Sequence, residues 1–383
     1  MDRTGLIYKR LGEISFYPNK RILLTDITSQ QYVGVETLVK NRGGISFSDE
    51  LPNAENAIEF IEEDILIGNI RPYLKKIWKA DRKGGASGDV VNIRILPDWK
   101  PLINSTYLFM ALSSDKFFEY DNANTHGAKM PRGDKKAISE YLIPIPPYDL
   151  QNSIVAELDS INESITLLQQ QVKDLDALAQ SVFYDMFGDP ITNYKGWDIK
   201  SLKDVSKEKL SYGSGASAVA FDKKIRYIRI TDIDDFGNLK EEKVSPSEYD
   251  EKYLLSEGDI LFARSGATVG KTYCHKTEYG NCIYAGYLIR LIPNKAIVLP
   301  SYVFGFTKTQ YYQIFVENSQ RAVAQPNINA KQYGDLKICV PPLSLQQSYD
   351  QKVASIEETK SNLNAQIADL QTLLAARMQY WFQ

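Results

Sequence analysis

Ile145-Pro146-Pro147-Tyr148-Asp149-Leu150-Gln151-Asn152-Ser153 returns in altered form as Val340-Pro341-Pro342-Leu343-Ser344-Leu345-Gln346-Gln347-Ser348, displaced by 195 residues. The same displacement of 195 carries Glu62-x-Asp64-Ile65-Leu66 to Glu257-x-Asp259-Ile260-Leu261, Tyr32 to Tyr227, Tyr107 to Tyr302 and Phe109 to Phe304. It also carries Pro131 to Pro326, Lys136 to Lys331, Leu168 to Leu363 and Phe187 to Phe382. Chance matches would scatter over many offsets. One offset along the whole chain means a duplicated unit, and its period is far too long for a solenoid.

Each double proline closes one segment and opens another. Proline lacks the N–H that a strand ladder needs and biases the residue before it away from helix. Upstream lie short Val/Ile/Tyr-rich runs bounded by Gly, Pro and Asp, such as Val90 to Ile95, Ile225 to Ile230 and Cys282 to Ile292, which read as strands. Downstream, apolar residues fall at Ile154, Leu158, Ile161, Ile165, Leu168, Val172, Leu175, Ala179, Val182 and Met186. Steps of four and three without a break predict a heptad helix of about 55 Å at ~1.5 Å per residue. The second copy repeats this seam as Tyr349, Val353, Ile356, Lys360, Leu363, Ile367, Leu370, Leu374, Arg377 and Trp381, with charge at Lys360 and Arg377.

The expected fold is therefore α+β. Two mixed α/β globular domains stand in tandem, at 1–147 and 189–342. Two long helices, 148–188 and 343–383, join them and pair as an antiparallel coiled coil with pseudo-two-fold symmetry. Such a pair would act as a rigid spacer between two similar heads. Both copies are expected to be complete within the 383 residues.

Composition sets bounds on function. Hydrophobic residues make up 43% and charged residues 24%, as in an ordinary water-soluble domain. No apolar run approaches the ~20 residues of a membrane helix, and Met1-Asp2-Arg3-Thr4-Gly5 lacks a charged-then-apolar leader. Three cysteines, Cys274, Cys282 and Cys339, suit a reducing cytoplasmic location better than a disulfide framework. The net charge of −3 hides a division. Residues 151–188 hold six acids (Glu157, Asp159, Glu163, Asp174, Asp176, Asp185) against one base, Lys173. The heads are left mildly basic, which permits nucleic-acid binding.

Motifs that suggest catalysis fail at defined positions. Ser265-Gly266-Ala267-Thr268-Val269-Gly270-Lys271-Thr272 has three residues between its glycines, where a phosphate-binding loop needs four and a following helix. A glycine-rich hairpin is the expectation. Ile145-Pro146-Pro147-Tyr148 has the shape of the tetrapeptide of amino-group DNA methyltransferases, but isoleucine stands where Asn or Asp must hold the target amine. Cys274-His275 and Cys282 lack the paired ligands at short spacing of a zinc site. No cofactor, metal or catalytic residue is expected.

Two heads, each closed by Pro-Pro-x-x-x-Gln and a heptad helix, resemble the specificity subunits of type I restriction-modification systems. The resemblance is carried by this layout together with Glu257-Gly258-Asp259-Ile260-Leu261-Phe262-Ala263-Arg264-Ser265-Gly266, Ala324-Gln325-Pro326-Asn327-Ile328-Asn329, and Phe187-Gly188-Asp189-Pro190. It implies a non-catalytic subunit whose two target-recognition domains each read one half of a bipartite double-stranded DNA site. It implies further that the helices set the spacer and dock two methyltransferase subunits, and that two motor-nuclease subunits complete the enzyme. A coiled-coil scaffold with two protein-binding heads remains the alternative.

A DNA reader needs Lys and Arg for phosphates and Arg, Asn or Gln for base edges. In the first copy the candidates are Asn69, Arg71, Lys75 and Lys76, which follow a predicted strand, then Lys129, Arg132 and Lys135. Their counterparts are Arg264, Ser265, Thr268 and Lys271, then Arg321, Gln325, Asn327 and Asn329. The copies agree at framework positions and differ at most of these, Lys76 and Lys271 being the same residue type, as two unlike half-sites require. Other uses compete: Arg71 or Arg264 would also brace a turn, and Asn327 or Asn329 would also cap a helix. Phe183, Phe187, Trp381 and Phe382 are the candidates for binding partner subunits; closing the coiled coil is their other use.

Overall fold

The computed structural model describes residues 6–127, 129–321 and 327–382. The fold is mixed α/β, and the chain divides into two compact units, Met1–Leu167 with Gln366–Gln383, and Leu168–Ala365.

The first unit is built on a four-stranded sheet in the order Ser15–Phe16, Val90–Ile95, Ile65–Gly68, Ile77–Lys79. All its pairings are antiparallel. The central strands are buried along their length, which is why they read as continuous Val/Ile/Leu runs and not as alternating ones. A second sheet adds Arg21–Leu23, Asn56–Phe60, Gly84–Ala86 and Tyr32–Val33, the last pair parallel. Ile7–Arg10 pairs with Leu142–Ile145 and brings the start of the unit beside its closing prolines. Helices Ser105–Leu112 and Asp115–Ala123 cover the sheet, each capped by a side-chain oxygen, from Asn104 and Ser114.

The second unit follows the same order. Ser211–Tyr212, Leu288–Leu291, Ile260–Ala263 and Thr272–Cys274 form its four-stranded sheet. Arg226–Ile228 and Cys282–Tyr284 form the parallel pair, and Asp198–Ser201 with Lys337–Val340 the closing ladder.

The repeated sequence motifs have structural causes. In the first unit the buried Gln151 accepts from the Asn104 N–H at 2.9 Å and donates to the carbonyls of Leu102 and Pro146 at 2.9 and 2.8 Å. In the second, Gln346 accepts from the Leu299 N–H at 2.8 Å and donates to Ile297 and Pro341 at 3.1 and 2.8 Å. The glutamine of Pro-Pro-x-x-x-Gln thus satisfies backbone groups that the turn into the long helix would leave unpaired. Tyr107 donates to the Pro144 carbonyl and Tyr302 to that of Cys339. The aspartates of the Glu-x-Asp-Ile-Leu motif are buried on arginines, Asp64 on Arg94 and Asp259 on Arg290.

The long helices run Tyr148–Phe187 and Leu343–Phe382. Within the first unit, Ile154 and Leu158 of the one share a core with Trp381 and Phe382 of the other. The seam charge Arg377 meets Glu157 there at 2.7 Å. Within the second unit, Phe183 and Phe187 share a core with Tyr349. Lys360, the other seam charge, meets Asp176 at 2.6 Å and Glu357 at 2.9 Å. Burial pulls the Lys360 ammonium down, but the two carboxylates outweigh it and hold it above its usual range. Among the described residues no helix is long and apolar enough to cross a membrane.

Candidate nucleic-acid interface

In the first unit the chain leaves strand Ile65–Gly68 and turns through Asn69 to Lys76 before returning as Ile77–Lys79. The turn is tight. Pro72–Leu74 is a single 3-10 turn, flanked by Arg71 at φ +54° and Lys75 at φ +51°. Left-handed backbone at residues with a Cβ is unfavourable and persists where surroundings impose it. The neighbouring segment does so here. Ile70 forms a β-bridge with Arg132, the Arg71 N–H donates to the Pro131 carbonyl at 2.7 Å, and the Gly133 N–H donates to the Asn69 carbonyl at 3.0 Å. Two candidate segments some sixty residues apart in sequence therefore form one surface.

Their side chains differ in availability. Arg71 and Lys129 are exposed and make no ion pair with a described residue. Arg132 is exposed, 3.2 Å from Asp89. Lys75 is tied to Asp115 at 2.5 Å, and Lys76 donates to the Val35 carbonyl at 2.5 Å. Hydrogen bonds from Lys75 and Arg42 hold the Asp115 carboxyl below the usual range. Lys135 lies 6.0 Å from the Tyr17 ring. Asn69 is half-buried, with its side-chain oxygen turned inward. Arg71 and Lys129 are thus exposed cations without a described ion pair, Arg132 is exposed but shared with Asp89, and the exposed Tyr73 stands among them.

The second unit repeats the crossing. Ser265 bridges Asn327 and the Ile328 N–H donates to the Arg264 carbonyl at 2.9 Å. These are the first unit's contacts displaced by 195 residues. The glycine segment is the expected hairpin: Ile260–Ala263 pairs antiparallel with Thr272–Cys274, and Gly266 and Gly270 take φ of +69° and +86°. Ser265 precedes the turn Gly266–Thr268, and Thr268 donates back to its carbonyl at 3.1 Å. Lys271 pairs with Asp235 at 2.8 Å. Asn329 caps helix Ala330–Asp335, accepting from the Gln332 N–H at 2.9 Å, so its oxygen is already used. Asn327 is exposed and accepts from Arg264 Nε at 3.2 Å. The side chain of Arg321 and all of Gln325 lie outside the described residues.

Nothing here builds a catalytic centre from the near-miss motifs. Burial pushes the Cys274 thiol up to about 12 and that of Cys282 to about 11, so neither is a ready thiolate. Burial pushes His275 down to about 4, against the Tyr273 hydroxyl at 3.0 Å. Among the described residues no group of three His, Cys, Asp or Glu side chains is placed to hold a metal ion.

Residues 194–369 match the model of the type I restriction modification DNA specificity domain. The chain is similar to the specificity subunits of type I restriction-modification systems. Such a subunit is non-catalytic. The chain is 22% identical over 401 residues to the EcoBI specificity subunit of Escherichia coli, covering 90% of this chain and 84% of that one. A Methanocaldococcus jannaschii chain, described provisionally as the specificity subunit of type I restriction enzyme MjaX, is 26% identical over 201 residues. That match spans 49% of this chain and 45% of the relative, under half its length. A solved structure described as bearing on complex assembly and conformational transition of the type I R-M system has the same fold. Its TM-score is 0.61 at 21% identity, over 99% of this chain and 98% of that one.

One expectation from the sequence is corrected. Phe183, Phe187, Trp381 and Phe382 are between 1% and 4% exposed and offer a partner no surface. Phe187 packs on Tyr302 at 4.7 Å between ring centres, and Phe382 on Tyr107 at 5.4 Å. Each helix end thus plugs a head core, a burial worth about 2–3 kcal/mol per ring. Heptad position alone does not distinguish a residue at a helix end from one seated in a neighbouring core. Sequence reasoning also passed over Tyr73, Tyr212 and Tyr287, which are exposed beside the crossings. Their signal was aromatic residues interleaved with the basic segments.

Proposed function

We propose that this chain binds double-stranded DNA at a bipartite site, each head reading one half. The observation that carries the reading is the pair of crossings, Ile70 with Arg132 and Ser265 with Asn327. Both heads use one backbone device to present cations and amides beside a rigid sheet. The side chains presented differ, Arg71, Lys129 and Arg132 in one and Arg264 and Asn327 in the other, which suits two unlike half-sites. Phosphate contacts then fix register, and base-edge contacts carry sequence.

In the same reading the heads are tandem target-recognition domains, and the two long helices pair as an antiparallel coiled coil that sets the spacer. Arg377 with Glu157 and Lys360 with Asp176 would pin its register, since a charged seam position is favourable only opposite its partner. Faces of the helices away from the seam dock two methyltransferase subunits, and two motor-nuclease subunits complete the restriction enzyme. The assembly works in the cytoplasm and its chemistry belongs to those partners.

The test is methylome sequencing of cells that express the chain with the methyltransferase subunit of its own system. A bipartite methylated sequence that disappears without this chain is expected. Exchanging Asn69 to Lys76 for another loop is expected to alter one half-site and spare the other. Absence of any methylated sequence dependent on the chain would refute the function.

A further inference from the structure

Where the first unit carries Asn69, the second carries Arg264. Its backbone is fixed on both sides: the N–H donates to the Tyr287 carbonyl at 3.0 Å and the carbonyl accepts from the Ile328 N–H at 2.9 Å. Its side chain is fixed as well. Nε donates to Asn327 Oδ1 at 3.2 Å, and the guanidinium carbon lies 4.7 Å from the centre of the Tyr212 ring. That ring is tied in turn, its hydroxyl accepting from the Ala330 N–H at 3.0 Å.

The Nη groups hydrogen-bond no described residue and pair with no described acid. This separates Arg264 from the other cations of its segment. Lys271 is tied to Asp235, whereas Arg264 has its planar fork oriented and its far edge free. A surface arginine ordinarily keeps several freely turning bonds and loses that freedom on binding. Here the ring and the amide have already restricted it, which favours a contact that needs geometry over one that needs only charge.

A guanine presents two acceptors on one edge of the major groove, O6 and N7, and a guanidinium fork matches them. We propose that Arg264 reads a guanine in the half-site bound by the second unit, donating from its two Nη groups to O6 and N7, with Asn327 and Tyr212 as positioning residues. The proposal rests on the DNA-reading function above and specifies one base of it. Tyr212 supplies the stacking plane, and Asn327 uses up Nε so that the Nη edge faces outward.

The experiment is selection of bound sequences from a random duplex library by the full-length chain, compared with Arg264→Lys, Tyr212→Leu and Tyr212→Phe. The wild-type chain should enrich a bipartite sequence with an invariant guanine in one half. Arg264→Lys keeps the charge and loses the fork. It should drop the preference for that guanine by about ten- to a hundredfold and leave the other half-site unchanged. Tyr212→Leu should relax the same position with little change in affinity for unrelated duplex, whereas Tyr212→Phe keeps the plane and should keep the guanine. A wild-type chain that enriches no sequence overturns the DNA-reading function and this inference with it. An enriched sequence that keeps every guanine in Arg264→Lys, or weakens uniformly at all positions, overturns this inference alone and makes Arg264 a phosphate contact.

Discussion

The two heads share a frame and differ in what lies under the crossing. In the second unit the floor is apolar: Val316 and Ile328 join one core with Val269, and Arg264 points outward over Tyr212. The corresponding positions of the first unit are Asp121 and Gly133. A Cβ on Gly133 would lie 2.5 Å from Asp121 Oδ1 and 2.8 Å from Asn69 Oδ1, so both oxygens converge on the bare face of the glycine. Asp121 is 1% exposed, and neither of its oxygens nor Asn69 Oδ1 hydrogen-bonds a described residue. The same backbone crossing thus stands on packed methyl groups in one head and on unsatisfied acceptors in the other. A duplicated frame tolerates this because its ladders and glutamine anchors do not pass through the floor. The contents of the crossing are free to diverge while its geometry is kept.

The largest expected effect tests the frame at its buried charges. Asp64 is gripped by two bonds from Arg94, at 2.8 and 2.7 Å, whereas Asp259 meets Arg290 through Nη2 at 2.5 Å. The arginines come from non-equivalent places: Arg290 faces Leu261 directly, while Arg94 lies two residues beyond Asn92, which faces Leu66. Burial also holds the Asp259 carboxyl above its usual range, so it accepts a proton more readily when stranded. Arg94→Met should cost the first unit about 4 kcal/mol and Arg290→Met should cost the second clearly less. Native-state hydrogen exchange resolves the two units. Equal losses would show that the fork geometry contributes nothing.

A somewhat smaller effect tests what the heads share. Gln151→Leu and Gln346→Leu each strand one N–H and two carbonyls beneath a helix start, and each should cost roughly 3 kcal/mol in its own unit. Unequal losses measured by the same exchange experiment would break the equivalence of the two anchors.

The anchors were legible as a motif before they were legible as a mechanism. Pro-Pro-x-x-x-Gln stood out because it recurs at 195 residues, yet spacing does not say that the amide reaches three backbone groups. The heptad steps marked the helices, and Ile154, Leu158, Ile161 and Ile165 are indeed buried. The seam charges Lys360 and Arg377 read as interruptions because their acids, Asp176 and Glu157, lie roughly two hundred residues away. The candidate loops were legible as basic segments after strands. Which cations stay free depends on Asp115, Asp89 and Asp235, and those pairings are tertiary. Asp121 was invisible for the same reason, since an acid on a short helix reads as solvated until the helix is packed.

The smallest effect concerns that floor. Burial pushes the Asp121 carboxyl up to about 6 from an ordinary 3.8. Above its ordinary range the unfolded chain holds this group charged in water, while the folded chain must bury the charge or keep the proton. The stability it allows is therefore full below about pH 4, falls as the pH rises through about 6, and stays at the lower level beyond, a difference of roughly 2–3 kcal/mol. Asp121→Asn removes the titration and supplies an N–H for Asn69 Oδ1. Other carboxylates of this unit, such as Asp115 and Asp134, are held below the usual range and shift stability the opposite way, so the informative quantity is variant minus wild type. That difference should be near zero at pH 4 and favour the variant at pH 7.5, read as a higher melting temperature in calorimetry. Val316→Asn in the second unit, made as the reciprocal change, should destabilise at both pH values, because it places an amide among methyl groups with no acceptor waiting. A gain for Asp121→Asn that is the same at both pH values would mean that the carboxylate is satisfied when charged, and that the two floors are equally well built.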